Sequence, residues 1–152
     1  MSLGSSKPPF NLPEGFRLIE VTDTSRQFQT GDSRIDSYTL NDYFRWSTFP
    51  HNYVILYEWE GDIAGVIHMI VYSDYIFIEI VARNRSSRAT GVGTKLISLI
   101  EGIARQLGKS RILLHSLDTT VEWYKKLGFR IRAPPRRNTE FGILTPMEKI
   151  LE

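Results

Sequence analysis

A glycine-bearing turn between an apolar run and an amphipathic run is the segment of this chain best suited to chemistry. It reads Arg88-Ala-Thr-Gly-Val-Gly-Thr-Lys-Leu96. Glycine has no β-carbon, so the backbone at Gly91 and Gly93 can adopt positive φ and approach a ligand closely. The helix predicted to follow points its unpaired N–H groups and the positive end of its dipole at the space above the turn. The segment therefore predicts an anion site, most naturally a phosphate site.

Two common nucleotide-binding motifs fail on spacing. The dinucleotide fingerprint G-x-G-x-x-G requires a third glycine where this chain has Leu96. The P-loop G-x-x-x-x-G-K-[ST] requires a glycine before its lysine and Ser or Thr after it, and Lys95 has neither. What remains is R-x-x-G-x-G, formed by Arg88, Gly91 and Gly93 at the start of a helix. An ordinary strand-to-helix turn can show this spacing by chance, so the motif alone does not decide the function.

A second motif lies downstream, in Trp123-Tyr-Lys-Lys-Leu-Gly-Phe129. With it, the chain resembles the GNAT superfamily of acyl-CoA-dependent N-acetyltransferases. R-x-x-G-x-G resembles motif A of that family, whose backbone amides grip the pyrophosphate of coenzyme A. Residues 123–129 resemble its F-Y-x-K-x-G-F signature, with Trp123 in place of the first aromatic. The resemblance covers residues 16–151, and is strongest over 75–131 and faint over 22–50.

The resemblance implies both a fold and an activity. The expected fold is a mixed α/β (α+β) domain with a mostly antiparallel sheet of six to seven strands, flanked by helices and splayed between the fourth and fifth strands. The expected activity is N-acetyl transfer from acetyl-CoA, the cosubstrate, to a primary amine by direct attack in a ternary complex. A non-catalytic acyl-CoA-binding sensor or partner module on the same fold stays open as the alternative.

The resemblance also assigns the cofactor contacts. Main-chain N–H groups of the turn are expected on the pyrophosphate, and the backbone of Val81 and Ala82 on the pantetheine arm. Arg83 adds positive charge, together with Arg85 and Lys95, although each of these equally suits a solvated surface. The expected cofactor-binding residues are Val81, Ala82, Arg83, Arg88, Ala89, Thr90, Gly91, Val92, Gly93, Thr94 and Tyr124.

Two residues are candidates for proton transfer. Tyr124 matches the tyrosine of the family signature, which implies that its phenol protonates the leaving thiolate; a packed helix tyrosine with a polar tip is the alternative. Glu79 interrupts the apolar run 75–82, and strict alternation places it on one face with Phe77 and Val81. A partly buried carboxylate has a raised pKa and can accept a proton from an ammonium. A structural salt bridge explains Glu79 equally well.

Histidine and cysteine usage bounds the remaining chemistry. His115, at the end of a predicted strand, is the histidine best placed for a proton relay, although a structural role is common for such a residue. His51 and His68 are far from it in sequence, so no metal site is predicted. The absence of cysteine excludes a thiol nucleophile and cysteine-based metal sites. The family often has asparagine after its fifth strand; here Ser116 or Asp118 is expected to take that polar role.

Composition and length predict one domain. The chain has 152 residues, 41% hydrophobic and 24% charged, which is typical of a globular protein and long enough for a sizeable core. We expect a flexible tail over 1–12 and a single domain over 13–152. The net charge of +2 gives no reason to expect nucleic acid. No apolar run predicts a membrane span or signal peptide, so the expected location is intracellular, with the cytoplasm as default.

Hydrophobic periodicity orders the predicted elements. A strand over 16–21 and one or two short helices over 25–47 precede an antiparallel meander of three strands, at 53–60, 63–72 and 75–82. A helix ending at Gly108 crosses to a strand at 111–115, parallel to 75–82. A second helix is expected to begin at a capping box of Thr119 and Glu122 or at Asp118. Strands at 129–131 and 141–151 close the sheet.

The acceptor is expected to be a small molecule or a protein amine, bound by a monomer or homodimer. Aromatic residues of the 25–50 region are candidates for an acceptor pocket, although core packing also explains them. The arginines between 130 and 137 suit an acidic acceptor or the 3′-phosphate of the cofactor, or else form a solvated basic loop.

Overall fold

The computed structural model describes residues 7–152, and the predicted tail residues 1–6 lie outside this range. Its strands and helices follow the predicted order. They are β1 (Phe16–Leu18), a 3₁₀ turn (Val21–Ser25), α1 (Ser33–Asp36), α2 (Leu40–Ser47), β2 (Asn52–Trp59), β3 (Asp62–Val71), β4 (Tyr75–Arg83), α3 (Val92–Gln106), β5 (Arg111–Leu117), α4 (Val121–Lys126), β6 (Arg130–Ile131), β7 (Arg136–Asn138) and β8 (Gly142–Ile150). None of the helices described over 7–152 is long and apolar enough to cross a membrane.

One mixed sheet organises the molecule, in the spatial order β1-β2-β3-β4-β5-β8. All neighbours are antiparallel except β4 and β5, which are joined by the crossover helix α3 as predicted. The sheet has eight strands, one or two more than expected, because β6 and β7 both pair with β8 at different heights. These two strands are only two and three residues long, which is why the sequence pattern of β7 was not recognised.

The parallel pair β4–β5 opens partway along its length, as the family resemblance implied. Tyr75–Ile78 pairs with Arg111–Leu114, and the pairing stops there. Beyond it, β4 continues to Arg83 and stays paired with β3, while β5 continues to Leu117 and stays paired with β8. The facing edges of β4 and β5 therefore lack their ladder partner over the last residues of both strands.

Two apolar clusters cover the two faces of the sheet. On one face, α3 packs Leu96, Ile100 and Ile103 against buried residues of β2 to β5. A β-carbon on Gly65 of β3 would lie 2.5 Å from Cγ1 of Val92, so glycine is what lets α3 rest directly on the sheet. On the other face, α2 contributes Leu40 and Tyr43. The amphipathic patterns of both helices thus bury one stripe each.

The N-terminal boundary lies earlier than predicted. Phe10, placed by sequence in the flexible tail, is only 6% exposed and packs edge-on against Tyr53 with ring centroids 5.1 Å apart. The N–H of Asn11 donates a 2.7 Å hydrogen bond to Oε1 of Gln106. Burial of the Phe10 ring ties this segment to the domain, so the packed chain includes residues before 13.

Two predicted element ends are also wrong. β1 stops at Leu18, because a capping box between Glu20 and Asp23 turns the following residues into a 3₁₀ turn. Helix α4 starts after Thr120, without the predicted capping box of Thr119 and Glu122 and without any side-chain cap. The hydroxyl of Thr120 is engaged elsewhere, 2.9 Å from that of Ser116.

Candidate active site

The opening between β4 and β5 is the mouth of a cavity of about 410 Å³. Its walls are the unpaired ends of the two strands, the first turn of α3 and one face of α4. Loops from far along the chain complete it on the remaining side. The lining includes Glu79, Val81, Ala82, Arg83, Gly93, His115, Ser116, Trp123, Tyr124, Asp32, Ile35, Asn138 and Phe141.

A β-bulge at Glu79 shapes the β4 wall. Ile78 pairs with Met69 and Ile80 pairs with His68, so one extra residue of β4 stands between two consecutive partners in β3. A bulge bends the strand and reverses which side chains share a face. Val81 therefore packs with the α3 cluster, on the face of Ile78, while Ile80 joins the α2 cluster. The expectation that Glu79 shares a face with Val81 is wrong for this reason.

The glycine turn has the geometry expected of an anion site. Gly91 is the N-cap of α3 with φ +64° and ψ +26°, and no side chain caps the helix. A β-carbon on Gly91 would meet nothing within 4 Å, so open space lies beside the turn. The first N–H groups of α3, beginning at Val92, have no carbonyl one turn earlier within the helix. This helix end therefore presents bare donors and the positive end of a 15-residue dipole.

The turn is held in place by Asn84, a residue that sequence reasoning missed. Asn84 is buried, and its side-chain amide donates a 2.9 Å hydrogen bond to the carbonyl of Ile63. Its side-chain oxygen accepts from the hydroxyl of Ser86, and its carbonyl accepts from the N–H of Ser87. The Ser87 hydroxyl in turn accepts from the N–H of Ala89. The signal available in the sequence was an asparagine close after an apolar strand.

The charged residues around the turn differ in where they lie. Arg83 lines the cavity and donates a 3.2 Å hydrogen bond to the carbonyl of Ser87. Arg85 and Arg88 are exposed. Lys95 reaches away to Tyr57, with its Nζ 3.3 Å from the phenol oxygen. Of the four cations predicted near the turn, Arg83 is therefore the one in the lining of the cavity.

Tyr124 is buried in the wall of the cavity. Its side chain is 6% exposed and packs edge-to-face with Trp123 and Phe129, at centroid distances of 4.8 and 5.5 Å. Burial raises the pKa of the Tyr124 phenol well above its usual value. The hydroxyl is therefore protonated at neutral pH and available as a donor.

Glu79 lines the cavity from β4. Desolvation raises the pKa of Glu79 above its usual value, although the side chain as a whole is exposed. Among the ion pairs between described residues, none involves Glu79. The salt-bridge alternative for this residue thus finds no partner there.

His115 and Ser116 extend the β5 wall. The ring of His115 meets that of Phe77 edge-on at 5.1 Å, and its pKa is lowered by desolvation and by the positive charges of Arg132 and Arg136. Ser116 is buried and lines the cavity, whereas Asp118 is exposed and lies 3.6 Å from Arg34. Of the two candidates for the polar position near the end of β5, Ser116, which lies within the strand, is the one at the cavity.

The two sequence-predicted acceptor regions separate. Part of the aromatic set of 25–50 lines a second, smaller cavity, and Tyr43 is core. In the arginine cluster, Arg130 and Arg132 pair with Glu148, and the arginines of β7 are exposed. None of these arginines is in the lining of either cavity. Asp32, Asn138 and Phe141 do line the larger cavity. They were missed because the loops that carry Asp32 and Phe141, and the three-residue strand that carries Asn138, have no periodic signal.

A sheet opened between two parallel strands, with a bare helix end beside the opening, is the arrangement that the family resemblance implied. The model of the protein family described as "Acetyltransferase (GNAT) family" matches residues 18–129 of this chain. The chain belongs to this family of acetyltransferases, which confirms both the family resemblance and the predicted fold class.

Solved structures show the same fold. Ard1 from Thermoplasma volcanium aligns with a TM-score of 0.72 at 21% identity, over 90% of this chain and 97% of its own. A GNAT family acetyltransferase from Elizabethkingia anophelis, with acetyl-CoA bound, aligns with a TM-score of 0.61 at 13% identity, over 91% of this chain and 100% of its own. An aminoglycoside 6′-N-acetyltransferase complexed with coenzyme A aligns with a TM-score of 0.63 at 17% identity, over 76% of this chain and 83% of its own. At such identities the likeness concerns the fold.

Proposed function

We propose that this protein transfers an acetyl group from acetyl-CoA to a primary amine, by direct attack within a ternary complex. The observation that carries the proposal is the cavity between the separated ends of β4 and β5, because it connects the bare N-terminus of α3 with a buried tyrosine and a carboxylate. Membership of the acetyltransferase family supports the reaction class.

The residues present fit the cosubstrate. The amides of Arg88 and of Thr90 to Thr94 are the proposed donors to the pyrophosphate, since the helix end is uncapped and Gly91 leaves open space beside it. The N–H of Ala89 is already donated to the Ser87 hydroxyl. The unpaired edge of β4 at Val81 and Ala82 offers N–H and C=O groups to the amide-containing pantetheine arm. Arg83 lines the same wall and contributes positive charge.

The proposed chemistry needs three proton and charge movements. The amine nitrogen attacks the thioester carbonyl carbon, the carbon–sulfur bond breaks, and the sulfur leaves as thiolate. The nitrogen loses its second proton as the amide forms, and this proton, passed through water, replaces the one that Tyr124 gives to the thiolate. Glu79 accepts the proton of the ammonium, directly or through water, because its raised pKa suits a base. Tyr124 donates to the leaving sulfur, since burial keeps its phenol protonated. His115, neutral because its pKa is lowered, is the proposed relay.

Two measurements test this function in turn. Calorimetric titration with acetyl-CoA, coenzyme A and ATP is expected to show binding of both coenzyme A compounds and none of ATP. Release of free thiol from acetyl-CoA is then expected to depend on an added primary amine. Binding without release by any amine would contradict the enzyme and favour the non-catalytic acyl-CoA module.

A matched pair of glycine variants tests the cosubstrate site itself. Gly91 and Gly61 both have positive φ, at +64° and +82°, and an added β-carbon meets nothing within 4 Å at either. Gly91→Val and Gly61→Val therefore impose similar backbone strain, but only the first obstructs the proposed pyrophosphate position. Acetyl-CoA binding is expected to be lost in Gly91→Val alone. Equal binding by the two variants would contradict the assignment.

A further inference from the structure

A second cavity, of about 290 Å³, lies on the far side of Glu79 from the glycine turn. Glu79, Ile80 and Phe141 line both cavities. The two spaces therefore adjoin at Glu79, the residue that we propose as the base. A molecule held in the smaller space would present one end to the acetyl group and keep the remainder outside the cosubstrate cavity.

Aromatic rings form the walls of this second cavity. Tyr38 meets Trp46 edge-on at 5.0 Å and lies 6.3 Å from the ring of Phe141. Phe49 closes another side and is 52% exposed, with no packing role in the two core clusters. Four rings from three separate parts of the chain thus surround one small volume. Such walls suit a flat or compact apolar group.

The polar floor of the cavity is uncharged. His68 is buried, stacks on Trp46 with centroids 5.6 Å apart, and lies with Nε2 2.7 Å from Oδ1 of Asn52. Desolvation lowers the pKa of His68 to about 4, so the ring is neutral at pH 7. Within the described chain no lysine or arginine lines this cavity, and Glu79 is its one carboxylate.

Charge and size together define the acceptor. We infer that the acceptor is a small primary monoamine with an aromatic or compact apolar body, of the arylalkylamine class, its ring among Tyr38, Trp46 and Phe49 and its amino group at Glu79. This inference rests on the proposed function. A polyamine or an aminoglycoside carries several cations, whereas this cavity offers one carboxylate. The Glu140 carboxylate nearby accepts the Tyr38 hydroxyl and lies outside the lining.

Competition between acceptors tests the inference. Phenethylamine, spermidine, an aminoglycoside and a short peptide with a free N-terminus are compared at saturating acetyl-CoA. The kcat/KM for phenethylamine is expected to exceed that for each of the other amines about tenfold or more, because its ring packs against the aromatic walls of the cavity. A higher value for the polycations or the peptide would overturn the inference and leave the proposed function standing.

A pair of exposed aromatic residues supplies matched variants. Phe49→Ala removes one wall of the cavity, whereas Tyr72→Ala removes a 43% exposed ring that lines neither cavity. The KM for phenethylamine is expected to rise about five- to tenfold in Phe49→Ala alone, with the KM for acetyl-CoA unchanged in both. An unchanged phenethylamine KM in Phe49→Ala would overturn the assignment of this cavity.

A binding measurement separates the two proposals. Phenethylamine is titrated into the wild-type protein and into Phe49→Ala, each saturated with coenzyme A. Binding that weakens in the variant supports the acceptor class even if no acetyl transfer occurs, in which case only the proposed function fails. An absence of phenethylamine binding to the wild-type protein would overturn the inference, whatever other amine is acetylated.

Discussion

Gly93 and the indole of Trp123 are in contact because glycine carries no side chain. A β-carbon on Gly93 would lie 2.9 Å from Cζ2 and 3.0 Å from Cη2 of Trp123. The first turn of α3 and the helix α4 therefore meet at this point, and the two sequence motifs, separate along the chain, form one surface of the cavity.

Replacing Gly93 with alanine tests this contact. The added β-carbon is expected to displace the Trp123 ring and with it Tyr124, whose ring packs edge-on against it. Acetyl-CoA affinity, measured by titration calorimetry, is expected to fall about tenfold, or ~1.4 kcal/mol.

Gly102→Ala is the control, because it lies in the same helix and its added β-carbon meets nothing within 4 Å. That variant is expected to raise the free energy of unfolding by about 0.5–1 kcal/mol and to leave binding unchanged. Equal affinities in the two variants would contradict the contact's role.

Removing the hydroxyl of Tyr124 tests the proposed acid. In Tyr124→Phe, kcat is expected to fall about 10²-fold, the lower end of the range for general acid catalysis, with the Kd for acetyl-CoA unchanged. Because burial raises the pKa of the phenol, wild-type kcat should show no alkaline decline from this group below its ordinary value of about 10. A variant with wild-type kcat across this pH range would remove Tyr124 from the mechanism.

The pH profile of Glu79→Gln tests the proposed base. The raised pKa of Glu79 means that its carboxylate is protonated, and the base lost, as pH falls through a value above the ordinary one of about 4.3. The acid limb of kcat/KM in the wild-type enzyme is therefore expected above that value and should disappear in Glu79→Gln, whose activity falls about 10²-fold. Glu14→Gln, at an exposed loop position, is the control. An acid limb that persists in Glu79→Gln would exclude Glu79 as its origin.

Asp23 is expected to be a main source of stability for the N-terminal part of the sheet. It is 2% exposed, accepts two hydrogen bonds from Arg17 at 2.6 and 2.8 Å, and accepts a third from the N–H of Glu20. Asp23→Asn is expected to lower the free energy of unfolding by about 2–3 kcal/mol, less than the ~3–5 of a fully buried pair because Arg17 is partly exposed. Denaturant titration measures this loss.

The same pair predicts a pH dependence of stability. Arg17 lowers the pKa of Asp23, so the stabilisation is present above the unfolded value of about 3.9 and is lost as pH falls toward the folded value. The difference between wild type and Asp23→Asn should therefore shrink below about pH 4. Asp62→Asn, at an exposed position, is the control. The difference in free energy of unfolding between wild type and this variant should not change over the same pH range. A difference that stays constant into the acid range would contradict the ion-pair explanation.

The sequence predicted those parts of the site that depend on local pattern. Gly91 and Tyr124 could be recognised because each lies in a contiguous motif, Gly91 at the start of a helix and Tyr124 within 123–129. The parallel pairing of β4 with β5 followed from the intervening helix.

The remaining features depend on how distant segments meet. The bulge at Glu79 is set by register against β3, which alternation along β4 alone does not contain. Phe141 reaches both cavities from a loop, and Phe10 is buried by contact with Tyr53, more than 40 residues away. Such contacts have no periodicity in the sequence, so their residues could not be selected from it.

The most direct test of the account is to follow both products of one reaction. Purified protein is incubated with acetyl-CoA and phenethylamine, and free coenzyme A and N-acetylated amine are quantified together. The account predicts that the two products form in equal amounts and that neither accumulates when Gly91 is replaced by valine. Coenzyme A release without acetylated amine, from any primary amine supplied, would contradict it.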